Sequence, residues 1–118
     1  MDKSKFLASD KPVAREVTFT DGTVDTLHFK QVTAGDMRRW RMAEASGDED
    51  RIVFGMQRLV AASLCDEKGK LALSEREAYG LTLQGLNDLF PHVMAVAGMD
   101  EGAKKASPSA EETGSAAS

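Results

Sequence analysis

The chain has a single cysteine, three prolines, one tryptophan and one tyrosine among its 118 residues, and each scarcity excludes something. Cys65 alone cannot form an internal disulfide, so stability has to come from a packed core, as expected of a protein from a reducing compartment. No run approaches the eighteen or so apolar residues of a membrane span, and the opening Met1-Asp2-Lys3-Ser4-Lys5-Phe6-Leu7-Ala8 lacks the apolar stretch of a signal peptide. A cytoplasmic location is the expectation. A basic excess is also missing: the formal charge is −4, the reverse of what a dedicated nucleic-acid binder carries. What is present is 42% hydrophobic and 29% charged residues, enough apolar surface for one folded domain.

Reactive groups are as sparse as cysteines. His28 and His92 with Cys65 form no pair with metal-ligand spacing. Cys65 closes an apolar helix, where a small buried hydrophobe is the plain reading. Asp48-Glu49-Asp50 lacks the glycine and distal glutamate of a calcium loop, and Lys68-Gly69-Lys70 lacks the flanking residues of a phosphate loop. Ser74 is explained as a helix cap. No catalytic site, cofactor or metal is expected, and the chain is not read as an enzyme.

Three zones separate by composition. Residues 1–12 form a polar, flexible lead ending at Pro12, and residues 13–99 carry almost every large apolar side chain. Residues 100–118 contain no Val, Ile, Leu, Met or aromatic residue, so they have no apolar surface to offset the entropy of ordering; a disordered tail is expected.

Inside 13–99 the apolar period changes from two to 3.6. Val13–Phe19 and Val24–Val32 flank Thr20-Asp21-Gly22-Thr23, which predicts a β-hairpin, with Asp-Gly suited to a two-residue type I′ turn. That turn would pair Phe19 with Val24 and Val17 with Thr26, placing Leu27 and Phe29 on the opposite face. Either both faces are partly covered, or a bulge or longer turn shifts the register. Thr33 with Asp36 opens a helix to about Ala45, with Met37, Trp40 and Ala43 or Glu44 along one side. Gly47 ends it and Asp48 caps a second helix to about Leu64, whose stripe is Ile52, Val53, Met56, Leu59, Val60, Ser63 and Leu64. Leu71-Ala72-Leu73 has the makings of a small returning strand. Ser74 to Glu77 is a capping box for a short helix. Thr82 caps a last helix with Leu83, Leu86, Phe90, Val93 and Ala97 inward, and Pro91 predicts a kink or split near 87–91. The fold class is α+β: an N-terminal hairpin followed by three to four packed α-helices.

Arg38-Arg39-Trp40-Arg41 is the most suggestive local cluster, since arginines beside an aromatic ring suit phosphate contacts and stacking. On a helix, however, four consecutive residues spread around the circumference. Trp40 then points inward while the arginines flank it, and neighbouring acids screen them.

The order of parts resembles the tail assembly chaperones of long-tailed bacteriophages and prophages. The resemblance runs through Arg15-Glu16-Val17-Thr18-Phe19, the Asp21-Gly22 turn, Leu27-His28-Phe29-Lys30 and Asp36-Met37-Arg38-Arg39-Trp40. It continues through Leu59-Val60-Ala61-Ala62-Ser63-Leu64, Asp66-Glu67-Lys68-Gly69-Lys70 and Leu73-Ser74-Glu75-Arg76-Glu77-Ala78, followed by an apolar helix and a polar tail. It covers roughly 13–99, and it lies in order and spacing rather than in any one motif.

The resemblance implies a protein of the bacterial host cytoplasm that binds and solubilises the tape measure protein and helps recruit tail tube subunits during virion morphogenesis. In such families a ribosomal frameshift often adds a second domain that engages the tube protein. An adaptable apolar surface suits a long apolar helical partner. The residues expected to supply it are Met37, Trp40, Met42, Phe54 and Met56, with self-association left open. Met42 falls off the Met37–Trp40 stripe, and Phe54 stands towards the edge of its helix. Two alternatives remain at this point: a structural tail or head-tail connector component, and a small nucleic-acid-binding regulator using Arg38, Arg39 and Arg41.

Overall fold

The computed structural model describes residues 2–98; the expected tail, 100–118, lies outside the described residues. After a short 3-10 turn at Lys3–Lys5 come β1 (Val13–Thr18), β2 (Val24–Phe29), α1 (Ala34–Ser46), α2 (Glu49–Ser63), β3 (Leu64–Cys65), α3 (Glu75–Ala78) and α4 (Leu83–Val96). The three strands form one antiparallel sheet in the order β1-β2-β3, and the fold is α+β.

The hairpin resolves the register in favour of the longer turn. Gly22 N–H donates to the Phe19 carbonyl at 2.9 Å and Phe19 N–H donates to the Thr23 carbonyl at 2.8 Å, leaving a three-residue loop. Gly22 sits at φ +91°, the left-handed position that such a loop needs. The extra residue changes parity: Val17 now pairs with Asp25 and Arg15 with Leu27. The two-residue pairing is therefore wrong, and Val17, Phe19, Leu27 and Phe29 share one face because the longer loop lets all four face the helices. Asp21 accepts from Thr23 N–H at 2.9 Å and Thr23 Oγ1 at 2.6 Å, and these bonds hold its carboxyl below the usual range. The loop is tied down by Asp88 of α4, which accepts from Thr20 N–H at 3.1 Å and from its hydroxyl at 2.7 Å.

The caps are those the residue types favour. Thr33 and Asp36 form a reciprocal capping box, as do Ser74 and Glu77. Gly47 closes α1 in the left-handed conformation, Asp48 caps α2, and Thr82 accepts from Gly85 N–H to start α4. The N-caps satisfy amide donors that a helix start leaves unpaired, and Gly47 N–H donates to the Glu44 carbonyl at the end of α1. α2 stops one residue earlier than its apolar stripe, because Leu64 and Cys65 pair with β2. The expected strand at Leu71–Leu73 is reduced to a single bridge between Leu71 and Cys65.

α4 runs unbroken through Pro91, without the expected split. Pro91 and Asn87 both lie on the exposed side, so the carbonyl that loses its donor faces water. Its inward face holds Leu86, Phe90 and Val93 as expected and Leu89 in addition, whereas Leu83, at the outer end of the helix, is exposed. Ser9 N–H, in the lead, donates to Gln31 Oε1 at 2.8 Å.

α4 lies against the inner face of the hairpin, α2 packs on α4, and α1 packs on α2 with Trp40 reaching Phe90 of α4. The core contains Val17, Phe29, Trp40, Leu59, Val60, Leu86, Leu89 and Val93. Ser63 is fully buried yet satisfied, its hydroxyl donating to the Lys30 carbonyl at 2.8 Å.

His92 stacks on Phe29 with ring centroids 5.7 Å apart, and its Nδ1 accepts from Arg15 Nε at 2.8 Å. Burial, and then the arginine charge, hold its pKa below the ordinary 6.5. The native state therefore binds fewer protons than the unfolded chain. The stabilisation is present above pH 6.5 and is lost as pH falls through 6.5 towards the folded value. Thermal unfolding of the wild type is expected to lose stability between pH 7.5 and 5.5, with a visibly flatter profile in His92→Gln. Equal slopes in the two proteins would show that His92 is not the responsible group.

Candidate functional site

The groove between α1 and α2 is built from two helix faces read at the same spacing. α1 supplies Asp36, Arg39, Trp40, Met42 and Ala43, and α2 supplies Arg51, Phe54, Gly55, Arg58 and Leu59. The α2 set falls at i, i+3, i+4, i+7 and i+8, a single face of a helix, and it lies beside the stripe that α2 turns towards the core. Together they line an open groove of about 320 Å³.

The floor is apolar and close-packed. Trp40 is 7% exposed and meets Phe90 of α4 edge-on, with centroids 5.0 Å apart. Gly55 brings the helices together at this point: a Cβ there would lie 2.9 Å from Trp40 Cε3 and 3.3 Å from the Ala43 Cβ. Without that glycine the indole could not lie flush against α2. Met42 (61% exposed) and Phe54 (52% exposed) stand in water on the two walls. Phe54 is propped edge-on by Tyr79 at 5.5 Å, and Tyr79 donates its hydroxyl to Glu75 Oε1 at 2.9 Å.

The rim is cationic. Arg39 lies 4.0 Å from Asp36, and Arg58 Nε lies 3.9 Å from Glu75 Oε2. Both pairs are at the outer limit of an ion pair and their arginines are solvent-exposed, so neither arginine is strongly committed. Among the described residues Arg51 has no ion-pair partner.

Of the five residues expected to form a binding surface, Trp40, Met42 and Phe54 line this groove. Met37 and Met56 do not; they pack against the core cluster as partly buried residues. Arg51, Gly55, Arg58 and Tyr79 were not among the expected residues. Arg51 and Arg58 stand three residues before and four after Phe54, on its face of α2, a relation that the stronger core stripe of α2 obscures; Tyr79 comes from beyond α3 and has no such signal. Arg38 and Arg41 are not part of the lining, so the structure divides the Arg-Arg-Trp-Arg cluster and leaves Arg39 alone in the groove.

The remaining titratable groups do not gather. His28 lies on the outer face of the hairpin and His92 packs on the inner face against Phe29. Cys65 is the cross-strand neighbour of His28, but burial pushes its thiol up, away from thiolate. Among the described residues no group of three His, Cys, Asp or Glu side chains could hold a metal ion. No described helix is long and apolar enough to cross a membrane. Comparison with family models, curated protein sequences and solved structures returns no match.

Proposed function

We propose that the chain is a tail assembly chaperone that holds apolar helical segments of a tape measure protein in its α1–α2 groove. The observation that carries this reading is the pair of solvent-exposed side chains, Met42 and Phe54, standing over the apolar floor of Trp40, Ala43 and Leu59. A groove between two helices, walled by methionine and phenylalanine, accepts the apolar face of a third helix and adapts to varied sequences along a long rod. The partner is taken from the resemblance in the order of sequence elements, and recruitment of tail tube subunits rests on the same resemblance.

Co-expression with a tape measure protein tests the proposal. The two are expected to co-purify in soluble form, with this chain absent from finished particles. An insoluble partner together with this chain inside purified particles would make it a structural component of the tail instead.

A further inference from the structure

The charge around the groove is opposite in sign to that of the whole protein. The chain carries −4, yet Arg39, Arg51 and Arg58 line the groove and outnumber the two carboxylates beside them, Asp36 in the lining and Glu75 next to Arg58. Resting on the reading of the groove as a helix-binding site, we infer that its occupant is an acidic amphipathic helix: a bulky apolar stripe edged by glutamates or aspartates.

The placement of the arginines is specific. Arg51 and Arg58 are seven residues apart on one face of α2, about 10 Å along its axis, or two turns. Arg39 stands on the α1 side of the same groove. A helix lying along the groove parallel or antiparallel to α2 repeats that geometry when its own carboxylates are at i and i+7, bracketing the residue that drops between Met42 and Phe54. Guanidinium groups suit such carboxylates because they present a planar fork of donors on a stem that also covers apolar surface. The loosely held partners, Asp36 at 4.0 Å and Glu75 at 3.9 Å, are exchangeable for an incoming carboxylate. A basic helix would meet three like charges on entering.

The rim could in other circumstances hold a nucleic acid, but the groove is poorly shaped for one. Trp40 is buried and packs against Phe90, so it offers no free stacking face, and Glu44, Asp48, Glu49 and Asp50 follow in and after α1. The polar residues 100–118 contain no large apolar side chain and so cannot fill the apolar floor.

Two synthetic peptides of about 20 residues, long enough to hold helix, test the inference. They share one leucine-phenylalanine stripe and lack tryptophan; one is edged with glutamate and the other with lysine. Binding is read by anisotropy of the labelled peptide and by emission from Trp40, the only tryptophan in the chain. The glutamate peptide is expected to bind at least tenfold more tightly at low salt, with the advantage shrinking as salt rises. Arg51→Gln with Arg58→Gln should abolish the preference, and Arg51→Glu with Arg58→Glu should invert it, with unfolding curves confirming that both variants are folded. Equal binding of the two peptides overturns the acidic occupant while leaving the groove as a helix site. Binding of neither overturns both. Displacement of the glutamate peptide by a single-stranded oligonucleotide at lower concentration than by unlabelled peptide also overturns it, in favour of a nucleic-acid ligand.

Discussion

Phe29→Ala is expected to remove about 3–5 kcal/mol of folding stability, the largest loss for any single truncation in this core. Phe29 is fully buried in the central strand, paired with Val13 on one side and Leu64 on the other. Its ring also carries the His92 stack, with 16° between the planes. Truncation therefore opens a cavity where the sheet meets α4, and at the same time removes the ring on which His92 rests. A domain of this size holds about 5–15 kcal/mol in total, so the loss approaches the whole of the smaller figure. At about 4–8 °C per kcal/mol, the melting temperature should fall by at least ~12 °C. Phe29→Leu, which keeps most of the volume, should cost far less. A fall of only a few degrees for Phe29→Ala would mean that the hairpin and α4 are not packed as described.

Gly55 should respond against the usual rule for helices. Glycine to alanine in a helix interior ordinarily gains about 1 kcal/mol. Here the new methyl would lie 2.9 Å from an indole carbon that is itself backed by Phe90. Overpacking of that kind costs about 1–3 kcal/mol, so Gly55→Ala is expected to show no gain. Gly55→Leu is expected to lose about 2–3 kcal/mol or more, because α1 must lift off α2 to admit the side chain. Lifting α1 wets Trp40, and denaturant unfolding followed by its emission should show a red-shifted native baseline as well as an earlier midpoint. A stabilised Gly55→Ala would contradict the close approach on which the groove floor depends.

The sequence was most legible where structure is decided within four residues. Thr33 with Asp36, Asp48, Ser74 with Glu77, and Thr82 all cap the helices they were expected to cap, because a cap needs only its own first turn. The hairpin was half legible. Asp21-Gly22 marks the turn, but its length is set by which face of β2 meets the helices, a demand made by α4 far along the chain. The phase of α4 was legible at Leu86, Phe90 and Val93; Leu83 fits the same spacing but sits at the exposed end of the helix, and Leu89 is a further inward position.

The groove divided along the same line. Met42 and Phe54 could be singled out because they depart from the apolar stripe of their own helices. Met37 and Met56 share the residue type and yet pack on the core. Arg51 and Arg58 looked like ordinary solvated charges, and nothing local distinguishes an arginine that edges a groove from one that does not. Gly55 carried a readable signal, a lone glycine within an apolar helix, but its meaning depends on Trp40 approaching from another element.

The most direct test of the groove is to co-express Met42→Ala/Phe54→Ala with the apolar partner and measure how much partner remains soluble. Both side chains are more than half exposed, so the double variant should fold and melt close to the wild type. Retained stability with loss of most of the soluble partner is the predicted result. Full solubilisation by the folded double variant would contradict the account and place the binding surface elsewhere on the molecule.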